Sequence, residues 1–173
     1  VPLKINCVVM RGVNDDELLD FVEWTRDRLL EVRFIEFMPF DGNRWDREVL
    51  VPYGEMVSRI EREYELEAEE GHGGAVSKGY RVGGHRGRVG FITSMTSWFC
   101  EGCSRLRLTA DGSLRVCLFG DSEVSLRDAM RGGASDEELQ EVISGALGRK
   151  RARHAGMEVL ATMANRPMIT IGG

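Results

Sequence analysis

Short apolar runs separated by polar turns organise the beginning of the chain. Ile5, Cys7, Val8 and Val9 read as a strand, and Arg11-Gly12-Val13 closes it as a turn. Asn14 and Glu17 have the spacing of a capping box, with Asn in place of the usual Ser or Thr. Leu18, Leu19, Phe21, Val22 and the run to Leu29 supply the apolar stripe of the helix that this box opens. Arg33-Phe34-Ile35-Glu36-Phe37 is the second strand, and Pro39 with the polar stretch to Trp45 is the loop after it. Pro52 opens a helix carrying Met56, Val57, Ile60 and Tyr64. The order predicts a parallel β-α-β-α unit.

From Glu65 to His85 the pattern changes, with an acidic run to Glu70 followed by Gly71, Gly73, Gly74, Gly79, Gly83 and Gly84. This segment is expected to leave the parallel sheet through a flexible loop. Tyr80 to Val82 and Val89 to Ile92 read as short strands, and Ser104 to Thr109 with Ser113 to Leu118 flank Ala110-Asp111-Gly112 as a hairpin. Ser125 with Asp128 opens a helix stopped by Gly132-Gly133, and Ser135 with Glu138 opens another that carries Leu139, Val142, Ile143, Ala146 and Leu147. There is no internal repeat and no low-complexity tract. The expected division is residues 1–64 as one part and 65–173 as the other.

A chain of 173 residues that is 42% apolar can bury one sizeable core with a small appended lobe. Its charged fraction of 29% and net charge of -5 give no basic footprint for nucleic acid. No run approaches the roughly 18 apolar residues that span a bilayer, and the N-terminus lacks a secretory pattern. We therefore expect a soluble intracellular protein with neither nucleic acid nor membrane as partner. Val1 leads directly into a strand, so the chain is expected to begin inside a larger protein.

The cysteines add the first chemistry. Of Cys7, Cys100, Cys103 and Cys117, the last three fall within eighteen residues, a clustering that favours metal ligation over disulfides in a reduced compartment. Gly102 loosens the loop between Cys100 and Cys103, so that both sulfurs can converge, while Cys7 stands apart as a small core residue. Zinc would need a fourth ligand from Cys7, His72, His85 or His154, none at a standard spacing, so the count favours a [4Fe-4S] cluster with one iron left open.

The hairpin turn decides what lies beside those sulfurs. A three-residue loop with Gly112 in the left-handed conformation pairs Thr109 with Ser113 and sets Cys117 opposite Arg105. Cys103, Arg105, Arg107 and Cys117 then share one face, whereas a two-residue loop would turn Cys117 away from both arginines. We expect the three-residue loop. Two arginines beside an open metal site are placed to hold an anion such as a triphosphate, the alternative being an ordinary solvated strand face.

Phe99-Cys100-Glu101-Gly102-Cys103-Ser104-Arg105-Leu106-Arg107-Leu108-Thr109-Ala110-Asp111-Gly112, with Cys117-Leu118 beyond it, resembles the C-terminal cluster motif of the GTP 3',8-cyclase (MoaA) family. Lys4-Ile5-Asn6, Arg11-Gly12-Val13-Asn14-Asp15, Arg33-Phe34-Ile35-Glu36-Phe37-Met38-Pro39, Asn165-Arg166-Pro167-Met168 and Gly172-Gly173 match in the same order. These are radical SAM enzymes that turn GTP into 3',8-cyclo-7,8-dihydroguanosine triphosphate on the way to molybdopterin. The resemblance implies an α/β chain: the C-terminal part of an incomplete (β/α) TIM-type barrel with an appended α+β iron-sulfur cluster domain.

It further implies that Cys100, Cys103 and Cys117 ligate the second [4Fe-4S] cluster, whose open iron meets the guanine of GTP. Lys4, Arg105, Leu106 and Arg107 would bind the nucleotide, Met38 would contact S-adenosylmethionine, and Arg33, Gly172 and Gly173 would assist catalysis. The CxxxCxxC motif that holds the family's first [4Fe-4S] cluster does not occur in this sequence. Activity would then need the N-terminal half of the same enzyme, in a family that is commonly homodimeric. The location would be the cytoplasm for a bacterial source and the mitochondrial matrix for a eukaryotic one. The alternative class is a non-catalytic metal-binding or electron-transfer module.

Overall fold

Side-chain alternation along Leu3–Val9 (β1) buries Cys7 and Val9 on one face and leaves Lys4 and Asn6 on the other. The computed structural model describes residues 3–71, 75–97, 103–119, 123–150 and 156–171. Two compact units divide the chain, Val1–Met38 with Trp45–Cys103 and Pro39–Arg44 with Ser104–Gly173.

In the first unit β1 pairs in parallel with Leu30–Glu36 (β2), which pairs in parallel with Arg88–Ile92 (β5). Lys78–Val82 (β4) and Leu66–Ala68 (β3) extend the same sheet antiparallel, in the order β1-β2-β5-β4-β3. Helix Leu18–Glu23 (α1) connects β1 to β2, and Tyr53–Glu61 (α2) follows β2. Leu18, Val22, Met56 and Ile60 from these helices pack with Cys7, Val9, Val32, Phe34, Val89 and Phe91 in one apolar cluster. Full burial of each large aliphatic or aromatic side chain contributes about 1.5–3 kcal/mol.

A single buried carboxylate organises the end of β2. Glu36 is fully buried and accepts from the backbone of Tyr53 (2.9 Å), Met95 (2.7 Å) and Thr96 (2.9 Å), and from the Thr96 hydroxyl. It thereby serves the start of α2, where Pro52 makes no side-chain cap.

Three expectations for this unit need correction. The Asn14–Glu17 capping box does not form; the Asn14 side chain instead accepts from Met10 N (2.8 Å) and donates to Val8 O (2.9 Å), closing the turn after β1. Helix α1 stops at Glu23 rather than near Leu29, because Gly87 and Arg86 take the carbonyls of Thr25 and Arg26 that a longer helix would need. The segment after Glu65 does not leave the sheet but supplies β3 and β4 to its far edge. The first compact unit runs on to Cys103.

The second unit holds a three-stranded antiparallel sheet of Arg107–Leu108 (β6), Ser113–Arg115 (β7) and Glu123–Ser125 (β8). Leu114 and Val116 pack with Ala146, Val124, Leu126 and Ile143. Leu126–Arg131 (α3) is capped by Ser125, whose hydroxyl accepts from Asp128 N, and Gly133 takes the positive φ of 86° just past its end. Asp136–Gly148 (α4) opens with the complete Ser135–Glu138 capping box read from the sequence. A further helix, Met157–Thr162 (α5), and a 3-10 turn at Met168–Thr170 were not anticipated.

Candidate functional site

On the face of the first sheet away from the helices, register alone assembles a charged row. Lys4, Glu31 and Arg88 are lateral neighbours across β1, β2 and β5, and Asn6, Arg33 and Gly90 form the next row. Glu31 is buried and pairs with three cations: Lys4 Nζ at 3.5 Å, Arg33 Nε at 2.5 Å and an Arg88 amino group at 3.3 Å. Burial pushes the Glu31 carboxyl up, but the hydrogen bond from Arg33 and the charges of Arg33, Lys4 and Arg88 outweigh it and hold the group below its ordinary 4.5. Glu31 therefore stays ionised at neutral pH.

Lys4 and Arg33, far apart in sequence, are thus brought onto one carboxylate. Lys4 also borders an open cavity of about 1050 Å³, together with Glu31, Arg88, Arg81, Glu67 and Glu69, while Arg33 does not line it. Met38 is buried beyond the other end of β2. Cys7 is buried in the apolar cluster, and Asn14 Nδ2 lies 3.8 Å from its sulfur. Burial, with the nearby charge of Glu17, pushes its thiol up. That environment disfavours the thiolate that metal ligation requires, so Cys7 is a packing residue, as expected.

In the second unit the hairpin has the expected register. Arg107 faces Arg115, Leu108 faces Leu114, and Thr109 N donates to Ser113 O at 2.9 Å. Gly112 has φ +80°, and a Cβ there would sit 2.6 Å from the Cβ of Arg127, so both conformation and space require glycine. From Cys103 to Thr109 exposure alternates. Cys103, Arg105 and Arg107 are half-buried, whereas Ser104, Leu106 and Leu108 are exposed. The ladder includes Arg107 but ends before Arg105 and Cys117, which continue the same odd-numbered positions outside it.

Arg115, absent from the sequence reading, is the largest fully buried side chain in the described structure. It donates to Asn165 Oδ1 (3.0 Å) and Leu118 O (3.4 Å) and pairs with Glu123 (3.4 Å). Glu123 also takes Arg166, which reaches Asp111 at 2.9 Å. Asp111 is held well below its ordinary range by the Thr109 hydroxyl and then by Arg166. Asn165 N donates to Asp41 (3.1 Å), and Ile171 is buried, so the segment leading to the last glycines is held in place.

Cys103 and Cys117 are half-buried, and both lie outside the two apolar clusters in which Cys7, Leu114 and Val116 are packed. Soft, partly accessible sulfur donors fit an iron-sulfur cluster better than they fit core packing. Among the described residues no group of three or more His, Cys, Asp and Glu side chains converges as a metal site. Cys100, the third ligand expected, lies outside the described residues, as do Gly172, Gly173, His72 and His154. His85, considered as a fourth ligand for zinc, has its Nδ1 2.8 Å from the Thr25 hydroxyl and its ring edge-on against Tyr64.

Comparison with known proteins decides the family. Residues 30–156 match the family described as Molybdenum Cofactor Synthesis C. The chain belongs to this family. Among Molybdenum Cofactor Synthesis C relatives, "GTP 3',8-cyclase, mitochondrial" of Arabidopsis thaliana is 57% identical over 99% of this chain and 44% of its own length. "Molybdenum cofactor biosynthesis protein 1" of Bos taurus is 56% identical over 98% of this chain and 27% of its own length. "GTP 3',8-cyclase" of Syntrophomonas wolfei is 42% identical over 99% of this chain and 53% of its own length. The chain thus spans between about a quarter and a half of these relatives. No helix among the described residues is long and apolar enough to cross a membrane.

Proposed function

We propose that this chain supplies the GTP and cluster sites of a radical SAM GTP 3',8-cyclase of molybdenum cofactor biosynthesis. The observation that carries the reading is 57% identity, over nearly the whole chain, to a relative of that name. The cations gathered on Glu31 and the hairpin register that aligns Arg107 with the odd-numbered positions leading to Cys117 support it.

In this reading the parallel strands β1, β2 and β5 belong to the partial (β/α) barrel, and the region after them forms the α+β cluster domain. Cys100, Cys103 and Cys117 hold the cluster. When bound, it supplies an iron with an open position for the base of the nucleotide. Lys4, Arg105, Leu106 and Arg107 bind GTP, the arginines through guanidinium forks that match phosphate oxygens. Arg33 is the cation at the ribose, and Met38 packs against S-adenosylmethionine. Gly172 and Gly173 form a tail without Cβ atoms that can approach reacting groups closely.

The N-terminal half of the enzyme provides the first cluster, and the assembly is a homodimer. It resides in the mitochondrial matrix or the bacterial cytoplasm, according to source. The test is anaerobic iron and sulfide analysis followed by GTP titration. Cys100→Ser, Cys103→Ser and Cys117→Ser each lose the cluster, Cys7→Ser keeps it, and the reconstituted protein binds GTP. Cluster loss in the Cys7 variant alone, or no GTP binding by a loaded protein, refutes the assignment. In a full-length enzyme carrying this sequence, deleting Gly172 and Gly173 leaves clusters and GTP affinity intact while sharply lowering product in a single-turnover assay. Equal product from both proteins would make the tail a loose end.

A further inference from the structure

Glu31 is the least exposed member of the charged row, with 9% of its side chain accessible against 44% for Lys4, 24% for Arg33 and 49% for Arg88. The carboxylate therefore lies beneath the cations that it holds. Both of its oxygens are engaged, Oε1 by Arg33 and Oε2 by Lys4 and Arg88. Arg33 uses only its Nε on Glu31, so the two terminal amino groups of its guanidinium remain available to another acceptor. Arg88 is shared with Glu69 at 3.4 Å, whereas Lys4 and Arg33 have Glu31 as their acidic partner among the described contacts. Positive charge exceeds negative at this point of the face.

The neighbouring strand is cut to fit. Gly90 faces Arg33, and a Cβ there would lie 2.2 Å from Ser77 Oγ and 3.5 Å from Glu31 Oε1. A larger residue would collide with Ser77 Oγ, while the carboxylate stays at ordinary contact distance. Ser77 Oγ, buried and without a hydrogen-bond partner among the described residues, occupies the space that Gly90 leaves open beside Glu31. Long cationic side chains lose rotamer entropy when fixed, and prior fixation removes part of that cost from binding.

We infer that Glu31 is a positioning residue that holds Lys4 and Arg33 in the arrangement that receives the nucleotide. The inference rests on the reading of Lys4 as a GTP-binding cation and of Arg33 as the catalytic cation at the ribose. Its test exploits two effects of opposite sign. Removing the carboxylate charge makes the face more positive, which by Coulomb attraction alone would tighten binding of an anion. Releasing the two side chains would weaken it.

The experiment uses a full-length, cluster-loaded enzyme carrying this sequence, with GTP affinity measured by calorimetry for Glu31→Gln, Glu31→Asp, Lys4→Ala and Arg33→Ala. We expect Glu31→Gln to weaken GTP binding roughly tenfold, the scale of one charge-assisted hydrogen bond, with iron content and the affinity for S-adenosylmethionine unchanged. Glu31→Asp keeps the charge but shortens the reach and gives an intermediate loss. Unchanged or tighter GTP binding by Glu31→Gln, while Lys4→Ala and Arg33→Ala weaken it, overturns the role of Glu31 alone. Unchanged binding in the lysine and arginine variants overturns the nucleotide reading itself. If Glu31→Gln does not fold, wild-type GTP affinity in Glu31→Asp overturns the inference.

Discussion

The two units use sheets of different topology for opposite electrostatic ends. Each has a sheet with one apolar face packed on helices and one polar face. In the first, Lys4, Arg33 and Arg88 gather on buried Glu31, with Glu69 as a second acidic partner of Arg88 alone, so positive charge is left over. In the second, Arg115 is itself the buried group, surrounded by Glu123, Asn165 and the Leu118 carbonyl, and Arg166 is taken by both Asp111 and Glu123. A surplus of cations is a capacity to bind an anion. The network around Arg115 is an architectural element, and it fixes the segment that leads to the C-terminal glycines.

That comparison breaks most visibly at Arg115. Arg115→Ala leaves buried Asn165 without its partner and Glu123 with Arg166 alone, and should cost roughly 3 kcal/mol of stability in chemical denaturation; a near-neutral result would mean that the network is open to water. Arg105→Ala and Arg107→Ala come next, each weakening GTP binding by about 1.5–3 kcal/mol without removing iron. Unchanged affinity in both would return them to a solvated strand face. Ser135→Ala, which removes the capping box of α4, should lower stability by about 1 kcal/mol, read from the same denaturation curves.

The smallest effect concerns acid. Glu31 and Asp111 are both held below their ordinary values of 4.5 and 3.8, so each contributes stability above those values that is lost as pH falls through the lower folded value. Glu31 is buried, and Asp111 is exposed and screened. Replacing Glu31 by Gln should therefore flatten the loss of stability below about pH 4.5, whereas Asp111→Asn should change it little. Equal flattening by both variants would erase the distinction between the buried and the exposed carboxylate.

Much of the local structure was legible because its causes are local. The Ser125 and Ser135 caps, the Gly112 turn and the register that follows from it depend on a few adjacent residues, and all three are found as read. Glu31 carried a faint signal, since two residues before Arg33 on a strand means the same face. That the same glutamate also meets Lys4 and Arg88 required the parallel register of β1, β2 and β5. Arg115 gave no sign of burial, because an arginine in Leu114-Arg115-Val116 reads as a solvated strand position until Asn165 arrives from fifty residues away.

By itself the sequence determined β1, β2, α2, the hairpin and its register, the capped starts of α3 and α4, the packing role of Cys7 and, through its motifs, the family to which the chain belongs. Those follow from dihedral preference, side-chain periodicity and cap chemistry, which act over a few residues. Only the tertiary structure decided where helix α1 stops, that β3 and β4 join the first sheet, and which charged groups are paired. The end of α1 depends on carbonyls claimed by Arg86 and Gly87, and the state of each arginine depends on acceptors brought from distant strands. Burial and pairing are properties of the assembled neighbourhood, so the same residue type becomes a binding cation on one sheet and a buried strut on the other.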